Sequence, residues 1–271
     1  MRLGMPILRE CKTPEAWITA LQQLGCSAAY YPLNATAGAD EVRAYAEAAQ
    51  KADILIAEVG AWSNPISPDE ETRQAAIALN QRQLALAEQI GARCCVNIAG
   101  SRSTAHWDAP HPDNLSEETF HLIVETVREI IDAVQPTRTF YTLEAMPWVF
   151  PDTPESYLRL IKAIDRPRFA VHLDPVNWIS SPQLYFSNSA LLRECFAVLG
   201  PWIKSCHAKD VRLSDTLTVH LDEACPGQGD LDYHTLLAEM ARLDPDTPLM
   251  LEHMGAEQDY VQGADYIRSL L

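Results

Sequence analysis

The stretch Phe169-Ala-Val-His-Leu-Asp-Pro-Val-Asn-Trp178 begins as a run of mostly apolar residues and then turns polar. Its first half is typical of a strand that is buried on both faces of a parallel sheet. Pro175 ends this strand, because proline cannot donate a hydrogen bond to a neighbouring strand. Asp174 therefore stands at the carboxyl end of a buried strand, where a carboxylate needs a compensating cation.

Three further segments end in the same way, with a short strand-like run that stops at Glu144, His207 or Glu252. We expect these residues and Asp174 to converge on one metal ion, because buried carboxylates need a cation to offset their charge. The set offers mostly hard oxygen donors and one imidazole, which suits Mn²⁺ first and then Mg²⁺, Co²⁺ or Zn²⁺. The alternative is four unrelated polar residues that end their strands in solvent.

Eight strand-like segments alternate with helix-like segments along the 271 residues of the chain. The sequence therefore predicts an α/β fold, a (β/α)₈ TIM barrel that forms one domain over residues 1–271 without a linker. The rival is a doubly wound open sheet, but the first strand-to-helix turn lacks phosphate-binding glycines. The predicted strands are Arg2–Leu8, Cys26–Pro32, Asp53–Gly60, Arg93–Ala99, Thr139–Ala145, Arg168–Asp174, Trp202–Ala208 and Thr247–His253.

The segments between the predicted strands contain capping residues and other features that are typical of helices. Ser67-Pro-Asp-Glu70 has the spacing of a capping box, and a connection of about twenty residues that contains Pro226-Gly-Gln-Gly-Asp230 is predicted as a loop. The predicted helices are Asp40–Lys51, Ala256–Leu270, one from Leu231, part of Ser180–Leu199, and four that are capped by Thr13, Ser67, Ser116 and Thr153.

Side chains of a barrel strand point alternately to the interior and to the helices, so the pattern can be checked for consistency. If the candidate residues Glu58, Glu144, Asp174, His207 and Glu252 face the interior, the neighbours that face the helices should be apolar. They are apolar in each case: Leu55 and Ala57, Leu143, Val171 and Leu173, Cys206, and Leu249 and Leu251. This agreement argues against the alternative that Glu144, Asp174, His207 and Glu252 are unrelated polar residues.

The composition narrows the class of partner. The formal net charge of −16 and the lack of a basic stripe argue against nucleic acid. No apolar run approaches the roughly 18 residues that span a bilayer, and the N-terminus is typical of a strand rather than a signal peptide. Seven cysteines without CxxC spacing indicate reduced core thiols. We expect a cytoplasmic protein with a small-molecule substrate and no membrane partner, and the sequence leaves a homo-oligomer open.

Five motifs give the chain a resemblance to a known family. They are LEAMPW around Glu144, HLDPVNW around Asp174, CHAKD around His207, PGQGDLDY at 226–233 and LEHM around Glu252. Most of the chain resembles the xylose isomerase-like barrel superfamily, in particular its sugar phosphate isomerase/epimerase branch, which includes ketose 3-epimerases. The resemblance implies that the two glutamates, the aspartate and the histidine bind one divalent metal. It also implies that Glu144 and Glu252 act as acid and base on opposite faces of a sugar.

Two departures from the family pattern shape this expectation. Asn177 stands where epimerases of this branch often have a histidine, and we expect it to form a hydrogen bond with substrate. The apurinic-site endonucleases of the superfamily have aspartate and histidine where this chain has Leu221 and Glu223. Together with the acidic net charge, these differences argue against a role in DNA repair.

Three polar residues that follow strands are candidates for substrate contact. Glu58 either binds a substrate hydroxyl or forms a structural ion pair. Arg212 either holds a substrate oxygen or lies exposed on a loop. His106 either reaches the mouth of the barrel or caps a loop.

Aromatic and histidine residues complete the set of candidates. Trp62, Trp148 and Trp178 follow strand ends and are predicted to wall the mouth, because aromatic rings suit the apolar faces of sugars. Trp148 is the favoured substrate contact, and simple packing under loops is the alternative. His172 is predicted as a hydrogen-bonded core residue. His253 is predicted to face outward, away from the site.

The leading interpretation is a metal-dependent sugar isomerase or epimerase that removes a proton next to a carbonyl and forms an enediolate. The alternative is a lyase or dehydratase on a keto-sugar or a 3-keto-glycoside, which expels a substituent from the same kind of intermediate. Some members of the superfamily share the MPW turn after the first glutamate, and their similarity to this chain implies such an elimination on 3-keto-glycosides as the alternative. A non-catalytic sugar-binding barrel is the third interpretation, and two opposed glutamates argue against it.

Overall fold

The computed structural model describes residues 1–271 and shows eight parallel strands that close into a barrel, which confirms the predicted (β/α)₈ fold. The last barrel strand closes the circle by pairing with the first. Two additional strands form a separate antiparallel hairpin. The barrel strands are β1 (Arg2–Gly4), β2 (Ala28–Tyr30), β3 (Leu55–Gly60), β4 (Cys94–Asn97), β5 (Phe140–Glu144), β6 (Phe169–Leu173), β7 (Ile203–Ala208) and β10 (Pro248–Leu251), and the hairpin strands are β8 (Asp210–Leu213) and β9 (Leu221–Ala224).

The barrel strands are shorter than the sequence predicts. β1 ends at Gly4 rather than Leu8, and Pro6 cannot extend the pairing because it has no N–H group. β6 ends at Leu173 and β10 ends at Leu251, each one residue before an acidic side chain. Asp174 and Glu252 therefore lie just beyond the paired strands, at the carboxyl-terminal mouth of the barrel.

Nine helices surround the barrel. Thr13, Ser116 and Thr153 cap their helices as predicted. The predicted Ser67 cap is wrong: the third helix begins after Asp69, whose carboxylate accepts the N–H of Thr72 at 2.8 Å. The helices are α1 (Pro14–Gln23), α2 (Ala39–Lys51), α3 (Glu70–Ile90), α4 (Glu117–Val134), α5 (Pro154–Ile164), α6 (Pro182–Phe186), α7 (Asn188–Leu199), α8 (Tyr233–Met240) and α9 (Glu257–Ser269). None of them combines the length and the apolar composition needed to cross a membrane.

The connection after β7 is not the simple loop that was predicted. It contains the β8–β9 hairpin, whose four-residue strands lack the hydrophobic alternation that reveals a strand in sequence. The Pro226–Asp230 segment then wraps around the Asp210 carboxylate, which accepts the N–H groups of Gly227, Gly229 and Leu231 at 2.8–3.1 Å. A side chain at Gly229 would clash with this carboxylate, since its Cβ would lie 2.4 Å from Asp210 Oδ1.

An irregularity in β3 changes which residues face the barrel interior. Ala29 pairs with Ile56, but the next residue of β2, Tyr30, pairs with Glu58. This bulge leaves Ala57 as an extra residue and breaks the strict alternation. Leu55 and Ala57, predicted to face the helices, instead pack with Ala28 and Met250 in a small cluster apart from the main core.

The Tyr157 hydroxyl ties together the two strands that carry Glu144 and Asp174. Tyr157 comes from α5, is fully buried, and accepts the N–H groups of Leu143 at 3.2 Å and His172 at 3.3 Å. The same oxygen lies 2.5 Å from the carbonyl oxygen of Leu143 and 2.9 Å from that of Ala170. A single buried hydroxyl thus contacts both strands where β5 pairs with β6, in addition to the hydrogen bonds of the sheet itself.

We expect Tyr157→Phe to lower the free energy of unfolding by about 1–3 kcal/mol, because it removes a buried hydroxyl that contacts several backbone groups of β5 and β6 at once. Urea denaturation measures this. Tyr45→Phe is the matched control, because it removes one hydrogen bond, to the carbonyl oxygen of Cys11 at 3.1 Å. Equal losses in the two variants would contradict the special role of the Tyr157 hydroxyl.

Candidate metal centre

The four residues predicted to share a metal come together at the mouth of the barrel. Glu144, Asp174, His207 and Glu252 each present one ligand atom, and these atoms all lie within 4.8 Å of one another. His207 Nδ1 lies 2.9 Å from Glu252 Oε1, 3.4 Å from Glu144 Oε1 and 3.8 Å from Asp174 Oδ2. Their convergence follows from the parallel strands, whose carboxyl ends meet at one face of the barrel.

The charges of this cluster fit a divalent cation. Burial and the neighbouring charge of Glu252 raise the pKa of Glu144 above its ordinary value. Asp174 Oδ2 and Glu252 Oε1 are buried and accept no hydrogen bond of good geometry. Three carboxylates and one imidazole whose ligand atoms converge in this way form a donor set that suits a hard or borderline divalent ion.

Lys209 is a member of the site that the sequence reasoning missed. Its side chain is 1% exposed, and its Nζ atom lies 2.7 Å from both Asp174 Oδ2 and Glu252 Oε1. Burial alone would lower the pKa of Lys209, but the surrounding carboxylates, Asp174 first, raise it well above the ordinary value. The signal was present in the sequence: Lys209 lies two residues after His207 and so shares its inward direction.

Glu58 lies deeper than predicted. It is 1% exposed, and its Oε2 atom lies 3.5 Å from His207 Nε2, on the ring edge opposite the other carboxylates. Glu58 Oε1 lies 2.9 Å from His172 Nε2 and accepts the hydroxyl of Ser205 at 2.5 Å. Burial would raise the pKa of Glu58, but the two histidines hold it well below its usual range. The structure thus favours the ion pair over the substrate contact for Glu58, and it places His172 in the core, as predicted.

Asn177 lies beside Glu144. Its Nδ2 group donates to Glu144 Oε1 at 3.2 Å and to the carbonyl oxygen of Ala145 at 2.9 Å. Its Oδ1 atom lies 3.3 Å from Lys209 Nζ. The amide therefore fixes the position of the Glu144 carboxylate and also lines the cavity above it.

A cavity of about 980 Å³ opens above the four residues. Glu144, Asn177, Lys209 and Glu252 form its polar floor, and its walls are largely apolar. Apolar wall residues from the strand-to-helix loops include Trp62, Trp107, Met146, Pro147 and Trp148, and the β8–β9 hairpin contributes Val219 and Leu221 together with the carboxylates of Asp222 and Glu223. A small polar floor under large apolar walls is the usual composition of a site for a small organic ligand.

Two of the three tryptophans that were predicted to wall the mouth do so. Trp62 lines the cavity, and so does Trp148, which is 38% exposed and donates its indole N–H to the carbonyl oxygen of Asp108 at 2.8 Å. Trp178 is 3% exposed and donates to Pro151 instead. A single 3₁₀ turn after Pro175 directs its ring into the core, so this prediction is wrong.

Two other candidates lie outside the large cavity. His106 is mostly exposed and pairs with Asp108. Arg212 lies on the hairpin, donates to the carbonyl oxygen of Gln228 at 2.5 Å, and borders a smaller cleft of about 360 Å³.

His253 enters the site, although the sequence predicted that it faces away. It lines the large cavity, and its Nδ1 atom lies 2.9 Å from Glu223 Oε2. Side-chain direction alternates only within a regular strand, and this rule does not apply to His253. β10 ends at Leu251, and the His253 backbone is left-handed, with φ of 59°.

The barrel and the carboxylate cluster at its mouth define a known class of protein. The chain belongs to the xylose isomerase-like TIM barrel family, whose model matches residues 18–270, and this confirms the resemblance seen in the motifs. No curated protein matches the sequence.

Several solved structures share the fold at low sequence identity. One is the apo form of a 3-keto-D-glucoside 4-epimerase from E. coli, with a TM-score of 0.72, 15% identity and 99% of each chain covered. A probable 3-DHS dehydratase from Bacillus anthracis has a TM-score of 0.73 and 17% identity over 99% of this chain and 97% of that one. Endonuclease IV from Thermus thermophilus has a TM-score of 0.74 and 14% identity over 100% and 98%.

We expect Glu58→Gln to weaken Mn²⁺ binding by about 10–100-fold, because carboxylates behind a ligating histidine orient the ring and raise its basicity. Isothermal titration calorimetry measures the affinity. Glu88→Gln is the control, since Glu88 is a hydrogen-bonded carboxylate that accepts from Thr137 and Thr139, far from the cluster. An unchanged affinity in Glu58→Gln would show that Glu58 has no influence on His207 as a ligand.

Proposed function

We propose that this protein is a divalent-metal-dependent sugar isomerase or epimerase that moves a proton next to a carbonyl group. The observation that carries the proposal is the placement of Glu144 and Glu252. Both belong to the four-residue cluster, and both line the same large cavity. A site that only binds a sugar has no need of two carboxylates on opposite sides of its ligand.

The barrel order supports opposed roles for these glutamates. β6 and β7 lie between β5 and β10, so Glu144 and Glu252 approach the cavity from well-separated directions. One carboxylate would remove the proton from one face of the sugar, and the other would return a proton to the opposite face. Proton transfer of this kind typically contributes about 10²–10⁴-fold to a rate.

The other residues of the site would prepare this transfer. A divalent ion held by Glu144, Asp174, His207 and Glu252 would polarise the substrate carbonyl and acidify the neighbouring C–H group. Asn177 would hold the Glu144 carboxylate in place through its 3.2 Å hydrogen bond. Trp62 and Trp148 would cover the apolar face of a sugar ring and exclude water from the reacting atoms. Of the compatible ions we favour Mn²⁺, because the donors are mostly hard oxygens with one imidazole.

The size of the cavity favours a second candidate, a lyase or dehydratase on a keto-sugar or a 3-keto-glycoside. At about 980 Å³ the cavity lies at the upper end of the range for small-molecule sites. Its apolar upper walls leave room for a leaving group beyond the sugar ring. The fold is shared with a probable 3-DHS dehydratase and with a 3-keto-D-glucoside 4-epimerase, which supports both candidates equally.

We expect the Mn²⁺-loaded protein to exchange the α-proton of a ketose or a 3-keto-glucoside with solvent deuterium, measured by NMR. Glu252→Gln and Glu144→Gln keep the shape of each side chain but remove a base, so at least one should slow exchange by about 10²-fold or more. Glu88→Gln should exchange at the parental rate.

The products separate the two candidates. Epimerisation of the free keto-sugar supports the first, and release of the aglycone from a 3-keto-glycoside supports the second. Parental exchange rates in both glutamine variants would show that another group is the base. A metal-loaded parent that exchanges no proton would favour a binding protein.

A further inference from the structure

Lys209 contacts two different sets of groups. On one side its Nζ atom lies 2.7 Å from Asp174 Oδ2 and 2.7 Å from Glu252 Oε1, both in the candidate metal cluster. On the other side it lies 3.0 Å from Glu223 Oε1, 3.3 Å from Asn177 Oδ1 and 3.4 Å from His253 Nδ1. The residues of this second set line the cavity but do not belong to the four-residue cluster.

The first set of contacts conflicts with a bound metal. A buried ammonium needs close partners, and Asp174 and Glu252 provide them at present. A divalent ion would require the same two carboxylates as ligands. Two cations only a few ångströms apart in a buried site repel each other strongly, because little solvent screens them. Lys209 and the ion therefore cannot both keep close contact with Asp174 and Glu252.

The second set of contacts gives the ammonium another position. Glu223 is a carboxylate on the hairpin strand β9, at the wall of the cavity. The backbone of Lys209 is fixed, since Tyr233 donates its hydroxyl to the Lys209 carbonyl oxygen at 2.8 Å. Its four-carbon stem is flexible, so the ammonium can shift from one set to the other while the backbone stays in place.

We propose that Lys209 is an internal cation that exchanges with the divalent metal. In the metal-free protein its ammonium neutralises Asp174 and Glu252. When the ion binds, the ammonium leaves these carboxylates and is held by Glu223 and Asn177. There it faces the cavity, where it can donate a hydrogen bond to a substrate oxygen. This inference rests on the metal site proposed above.

The first test measures Mn²⁺ binding to the metal-free full-length protein by isothermal titration calorimetry, without substrate. Lys209→Met and Lys209→Gln remove the competing charge, so both should bind Mn²⁺ at least about tenfold more tightly than the parent. A residue that merely supports the site would weaken binding when replaced. Lys204→Met is the control and should leave the affinity unchanged, since Lys204 lies near the start of β7, at the opposite end from Lys209, and contacts the carbonyl oxygen of Pro201.

The second test asks whether Glu223 receives the ammonium. Glu223→Gln should weaken Mn²⁺ binding in the parent, because the displaced ammonium loses its carboxylate partner. In the Lys209→Met background no ammonium is displaced, so the same change should have a clearly smaller effect. This difference between the two backgrounds is a double-mutant coupling.

Each result has a defined meaning. A parent that binds no Mn²⁺ would overturn the metal site itself and the exchange with it. A parent that binds Mn²⁺, with Lys209→Met and Lys209→Gln equal to it or weaker, would overturn the exchange and leave the metal site standing. Tighter binding with equal Glu223→Gln losses in both backgrounds would show that Lys209 stays beside the ion, and would overturn the transfer to Glu223.

Discussion

Several carboxylates are buried together at the mouth of one barrel, and the side chains around them must offset their charge. Glu144, Asp174 and Glu252 cannot stay charged side by side in a buried site without cations. His207 and Lys209 supply positive charge from within the chain, and their ion-pair contacts with the carboxylates range from 2.7 to 4.0 Å. The same cluster of carboxylates and imidazole could hold a divalent ion.

The fold positions these charges through strand ends and holds them from behind. The parallel strands deliver the four side chains to one face, and the Tyr157 hydroxyl joins the two strands that carry Glu144 and Asp174. Beneath them, Glu58 connects His172 with His207. The cavity above has the charged residues Glu144, Lys209 and Glu252 at its floor, and about half of its lining residues are apolar.

The sequence was sufficient to predict the barrel and the convergence of Glu144, Asp174, His207 and Glu252, because both follow from strand ends and strict alternation. Its failures occur where the backbone departs from regular geometry. The bulge in β3 turns the side chains of Leu55 and Ala57 away from the helices. A 3₁₀ turn buries Trp178, and the left-handed backbone of His253 brings its side chain into the site. Glu58 was misplaced for a different reason, since alternation gives the direction of a side chain but not its depth in the barrel.

We propose that one divalent ion binds to Glu144, Asp174, His207 and Glu252. A crystal structure of the protein grown with Mn²⁺, with anomalous diffraction data, tests it most directly. We expect one strong anomalous peak at the mouth of the barrel, roughly 2.0–2.4 Å from an atom of each of the four side chains. A peak located instead between Glu58, His172 and His207, or no peak with the Lys209 ammonium still at Asp174, would contradict it.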